Sequence, residues 1–221
     1  DPARRGSDRM NRRSNRELPM TLSTPQRAGI LAILAIVMIA TRVNHFAALP
    51  DASWAVFFVA GFYLRGSFRS AFAILMALAV LVDFFVITGA GIDFWSHYCV
   101  SVAYWFLIPA YLAMWLGGSL VRAASRGLGA RELGLVAVAL VASVSVCYLV
   151  SNGSYYWLSD TWMAGGKLRS FGGWMENLGD WYLPYLRTSA VYVAIATALH
   201  VGTTLAARSL DGVHAAGVAR H

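Results

Sequence analysis

Apolar residues in this chain fall in long runs separated by short polar stretches. Six runs read as membrane-crossing helices, at about 25–42, 52–64, 69–88, 98–118, 131–151 and 182–206. The second run is the shortest. Its roughly 13 residues rise about 20 Å as a helix, against a hydrocarbon core of about 30 Å, so it either crosses a thinned region with little tilt or crosses incompletely. Its ends are nonetheless marked. Pro50-Asp51-Ala52 reads as a helix start with an Asp cap, and Arg65-Gly66 reads as a stop. With no internal repeat or heptad, the pattern predicts an all-α integral membrane protein of six transmembrane helices.

Composition strengthens that reading. The 221 residues are 58% hydrophobic and 13% charged, a balance that an ordinary soluble domain does not have. Charge placement then suggests an orientation. With an inside N-terminus, 14 of the 18 Arg and Lys residues fall on the cytoplasmic side, and Arg42, Lys167, Arg169 and Arg187 fall outside. Both termini are then cytoplasmic, with residues 1–24 a flexible basic tail lacking the apolar core of a secretory leader and residues 207–221 a second tail. The net charge of +7 is accounted for by this topology and by contact with anionic membrane lipid, so nucleic acid is not needed as a partner.

The motifs exclude more than they assign. Gly165-Gly166-Lys167-Leu168 lacks the glycine spacing and the Ser/Thr of a P-loop, and neither a His-Glu-x-x-His helix nor a Gly-x-Ser-x-Gly elbow is present. Intramembrane polar residues become the main clues, because a charge at that depth is costly. Asp83, near the outer end of the third span, is expected to face the bundle or a wet cavity. His200 reads either as an interhelical hydrogen-bond residue or as a ligand. Cys147, within the fifth span, reads as a small apolar residue, whereas Cys99 stands where a polar stretch enters the fourth span, beside His97 and Tyr98. A soft thiol there suits a soft transition metal, and a helix N-terminus or a nearby cation would favour the thiolate. The segment 151–181 is read as an outer loop. It carries Tyr155, Tyr156, Trp157, Trp162, Trp174 and Trp181, which suit either an interfacial belt or a lid over a flat ligand.

Several stretches together resemble the BtuM family of solitary membrane proteins related to the S-components of energy-coupling factor transporters and associated with cobalamin uptake. They are Ala40-Thr41-Arg42-Val43-Asn44-His45-Phe46, Leu49-Pro50-Asp51-Ala52-Ser53, Val82-Asp83-Phe84-Phe85, Tyr98-Cys99, Ala103-Tyr104-Trp105 and Ile108-Pro109-Ala110-Tyr111. The resemblance covers residues 25–206. It implies a six-helix S-component fold in the bacterial inner membrane, with a corrinoid cavity facing the periplasm and Cys99 as axial ligand of the cobalt in bound cobalamin or cobinamide. It further implies that His45, Asp83 and Tyr104 belong to the substrate site, with Asn44 and Tyr98 beside them. A coupling subunit would dock on the first helix at Ala28 and Ala32. If the corrinoid arrives with a cyano ligand, the Cys99 thiolate could displace it, which is ligand exchange rather than turnover. The competing reading is a haem-binding or quinone-linked oxidoreductase subunit using His45, His97 or His200. A disulfide-generating enzyme is disfavoured because Cys99 and Cys147 have no Cys-x-x-Cys relation.

Overall fold

The computed structural model describes residues 22–43, 50–97, 100–159 and 168–218, the last eight of these by backbone alone. Among them are six α-helices and no strand: α1 (Thr24–Arg42), α2 (Ser53–Tyr63), α3 (Phe68–Gly89), α4 (Leu107–Ala124), α5 (Ala130–Leu158) and α6 (Phe171–Val218). Five helical stretches are long and apolar enough to cross a membrane, the second of them joining α2, a 3-10 turn at Arg65–Ser67 and α3 into Ser53–Gly89.

Local chemistry explains the boundaries. Ser23 and Gln26 form a reciprocal capping box at the start of α1, and Pro25 follows where a missing N–H costs nothing. The Asp cap expected here is corrected: Ala52 is the N-cap and has no side-chain cap bond, while Asp51, one residue earlier, accepts the backbone N–H of Ser53. The fourth apolar run departs from a single helix beginning at residue 98. Val100 and Ser101 precede a 3-10 segment, Val102–Phe106, and the α-helix begins only at Leu107. Ser101 caps this 3-10 segment by accepting the Ala103 N–H, and Pro109 falls in the first turn of the α-helix, where its missing N–H costs nothing. The first described helical residue of this run is Val102, and Cys99, expected to open the span, lies outside the described residues.

Much of the segment read as an outer loop is helical, because α5 runs to Leu158 and α6 starts at Phe171, passing through Pro184. Side-chain bonds join these two helix ends. Trp174 Nε1 donates to Asn152 Oδ1 at 3.1 Å, and Asn152 donates to Asn177 at 2.6 Å.

The short second run is the centre of the bundle. Trp54, Ala55, Val56, Phe57, Phe58 and Ala60 are all buried, so α2 is apolar around its whole circumference and is enclosed by α1, α3, α4 and α6. Its 11 residues rise about 16 Å, too little to cross a bilayer alone, yet its backbone meets protein rather than lipid. Helix α4 approaches it at backbone distance. A Cβ on Gly118 would fall 1.8 Å from the Phe58 carbonyl oxygen, and one on Gly61 would fall 2.0 Å from that of Trp115. Only glycine permits this crossing. The bundle has two distinct ends. Arg42, Ser53, Asp83 and Tyr104 meet at one, while Arg27 approaches the turn at Gly66 at the other, near Arg65, Arg69 and Arg122.

Candidate functional site

The first end is organised by a buried guanidinium. Arg42 closes α1, where Thr41 bonds back to the Val37 carbonyl and also accepts the backbone N–H of Ala52, drawing the start of α2 against the end of α1. Arg42 is 6% exposed. Its Nε and Nη2 donate to Asp83 Oδ1 and Oδ2, both at 2.7 Å, in a bidentate pair across to α3. Its Nη1 lies 3.0 Å from Asp51 Oδ2, 3.0 Å from Ser53 Oγ and 3.1 Å from the Tyr111 hydroxyl. Four chain segments thus converge on one side chain.

The neighbours are held just as firmly. Tyr104 donates to Asp83 Oδ2 at 2.6 Å, while Ser53 donates to Asp51 Oδ1 through its backbone N–H and its hydroxyl, at 2.9 and 2.6 Å. The Tyr111 ring stacks on Phe57 with centroids 4.5 Å apart, which aims its hydroxyl at Arg42. Tyr104 packs edge-on against Phe94, and Phe94 packs on Phe84 of α3, so the stretch between α3 and α4 folds back over the cluster. Burial of one cation beside two carboxylates is tolerable because each oxygen and each guanidinium edge has a partner. Ionised throughout, the three groups sum to one negative charge. The cluster is consequently a rigid, acceptor-rich floor. Its saturated carboxylates are poorly placed to act as free bases, and the one excess negative charge favours ligands that bring positive charge or N–H edges to the cluster.

Two residues assigned to the site from sequence, Asp83 and Tyr104, are brought into contact by this fold. The others, Asn44, His45, Tyr98 and Cys99, lie outside the described residues; their described chain neighbours are Val43, Pro50, His97 and Val100. No group of three His, Cys, Asp or Glu side chains suited to a metal occurs among the described residues. The sequence reading missed Arg42 as a site residue and used it only as one of the four outer-side basic residues. It also passed over Asp51, Ser53 and Tyr111. A signal existed: two opposite charges, Arg42 and Asp83, each close an apolar span, and pairing is the low-cost outcome for both.

The remaining candidates separate. His200 bonds Tyr63 at 2.8 Å near the arginine-rich end, far along α2 from the end where His97 sits, so these two do not form an axial pair. Cys147 is fully buried in the core, as a small apolar residue would be. Ala28 and Ala32 both lie on the exposed face of α1. Of the aromatics in 151–181, Tyr156 is buried and its hydroxyl donates to the Ser170 carbonyl, whereas Trp157 and Trp181 face outward. Trp162 lies outside the described residues. Compared with known proteins, the chain matches no protein-family model and no curated protein.

Proposed function

We propose that this protein binds a corrinoid, cobalamin or cobinamide, at the end of the bundle built around Arg42 and carries it across the bacterial inner membrane, as its resemblance to the BtuM family implies. The observation that carries the reading is the 2.6 Å bond between Tyr104 and Asp83. These residues, 21 positions apart and on separate segments, were assigned to one site from the resemblance alone, and they touch on a polar floor inside an otherwise apolar bundle. The excess negative charge of that cluster favours the N–H edge of a corrin's amide fringe.

On this reading the chain is an S-component-like bundle of six crossings, with both termini cytoplasmic and the Arg42 end facing the periplasm. Cys99 is the axial ligand to the substrate's cobalt. Where a cyano group occupies the attacked face, the Cys99 sulfur donates an electron pair to cobalt as the cobalt–carbon bond breaks, and cyanide leaves with that bond's electrons. The thiol proton passes to solvent, and the cobalt oxidation state is unchanged. Asp83 and Tyr104 orient corrin amides. The exposed Ala28 and Ala32 face of α1 supports docking of an ATPase-linked coupling subunit, because small residues permit close helix approach.

The test is the absorption spectrum of detergent-purified protein after incubation with cyanocobalamin and removal of excess. Wild type is expected to retain one corrinoid per chain with a shifted cobalt spectrum. Cys99→Ala is expected to lose the shift. A folded wild-type protein that retains no corrinoid overturns the proposal.

A further inference from the structure

The other end of the bundle holds a feature that corrinoid binding does not use. Helices α2, α4, α5 and α6 leave between them a crevice of about 60 Å³, walled by Phe58, Val59, Val136, Val193 and Ala196 and closed at one end by Phe62, Tyr63 and His200. The wall is apolar for nearly its full length. Its lining extends along α2 from Phe58 to Tyr63, about 7.5 Å of helix axis. An apolar void of this kind does not hold water well, since water needs two to four polar partners. In a bilayer the available apolar filler is an acyl chain.

The polar end of the crevice selects among lipids. Tyr63 and His200 Nδ1 are 2.8 Å apart, and with Tyr63 as donor the neutral imidazole carries its proton on Nε2. That nitrogen has no hydrogen-bond partner among the described residues. Phe62 neighbours both His200 and Arg122: the Arg122 guanidinium carbon is 5.5 Å from its ring centroid, and the Phe62 and His200 ring centroids are also 5.5 Å apart. A guanidinium has five N–H donors and can hold a phosphate oxygen while it covers an aromatic face. The surroundings have the same sign. The turns at this end and their flanks carry Arg65, Arg69, Arg122, Arg126 and Arg131 against Glu132, and Glu132 is paired with Arg131 at 3.1 Å.

We infer that this crevice is a binding site for one anionic phospholipid of the leaflet at the arginine-rich end. One acyl chain lies between Phe58 and Val193, an ester or phosphate oxygen accepts from His200 Nε2, and the phosphate pairs with Arg122. This inference does not depend on what the opposite end binds.

Native mass spectrometry of the full chain in mild detergent tests it, with phosphatidylglycerol and phosphatidylcholine of identical acyl chains as probes. Wild type is expected to retain one phosphatidylglycerol in preference to phosphatidylcholine. Ala196→Phe, which fills the crevice from its half-exposed wall, is expected to lower that retention at least about tenfold. Arg122→Gln is expected to remove most of the headgroup preference, since loss of a charge-assisted bond corresponds to about tenfold or more in affinity. Arg69→Gln deletes the same charge away from the crevice and is expected to leave retention unchanged. Equal retention of the two lipids by wild type overturns the inference. So does an equal effect of Arg69→Gln and Arg122→Gln, which would mean diffuse attraction to the arginines rather than a site. If Ala196→Phe fails to fold, the arginine pair still decides.

Discussion

The two ends of the bundle handle a guanidinium in opposite ways. At one end Arg42 is enclosed by protein, and its charge is met by Asp83 through two 2.7 Å bonds and by Asp51 through a third. At the other, Arg122 lies over the face of Phe62 beside a cluster of further arginines. The difference shows what burial demands. A cation removed from water and lipid headgroups must be neutralised inside the fold, whereas one at the rim of a bundle can gather with others of its sign where the membrane surface screens them. One end has consequently become rigid and specific in shape, and the other remains open along an apolar crevice.

That contrast is broken most severely at Arg42. Arg42→Met leaves two carboxylates without their cation and is expected to cost about 3–5 kcal/mol in thermal or denaturant unfolding of the detergent-solubilised protein. Arg42→Lys should recover only part of this, because an ammonium cannot reproduce the bidentate fork. A loss for Arg42→Met under about 1 kcal/mol, the range of exposed pairs, would mean that the cluster is solvated and not part of the core.

Next in size is the crossing that holds the two ends in register. Gly118→Val places a side chain where the Phe58 carbonyl already sits, and about 3 kcal/mol of destabilisation is expected, the upper part of the range for overpacking. Both ends should suffer together, with loss of corrinoid retention and of lipid selectivity in the same preparation.

A matched pair of hydroxyl deletions sharpens the comparison further. Tyr104→Phe removes a bond to an ionised carboxylate and is expected to cost about 1.5–3 kcal/mol. Tyr63→Phe removes a bond to an imidazole and should cost about 0.5–1.5 kcal/mol. Equal costs in parallel melts would argue that Asp83 is not charged in the folded protein. On the proposed function, Tyr104→Phe weakens corrinoid retention and Tyr63→Phe leaves it intact.

How much of this was legible beforehand depends on the range over which each feature is encoded. The apolar runs predicted the helices well. Runs 25–42 and 69–88 match α1 and α3 within a residue or two, because chain-local hydrophobicity is enough to specify where a helix lies. The start of α2 was placed to within a residue for the same reason, although Ala52 and not Asp51 is its N-cap. Asp83 stood out as an ionisable residue in an apolar run, and Tyr104 entered through the family resemblance. The start of α4 was not read correctly. There the chain enters through a 3-10 segment capped by Ser101, a backbone feature that hydropathy does not register.

The sequence by itself determined that the chain is helical, that it is apolar enough to cross a membrane, and that arginines gather toward one end. These are sums over neighbouring residues, and they survive any arrangement of the helices. Only the tertiary structure decided that the shortest run is the buried centre of the bundle and that Arg42, counted only as an outer-side arginine, is the most enclosed charge in the described protein. It also decided that Asp51, Ser53, Asp83, Tyr104 and Tyr111 meet around that charge. Those facts depend on which helix faces fit together at backbone distance. Here two glycines settled that, Gly61 and Gly118, whose role is invisible until the partner backbones lie against them.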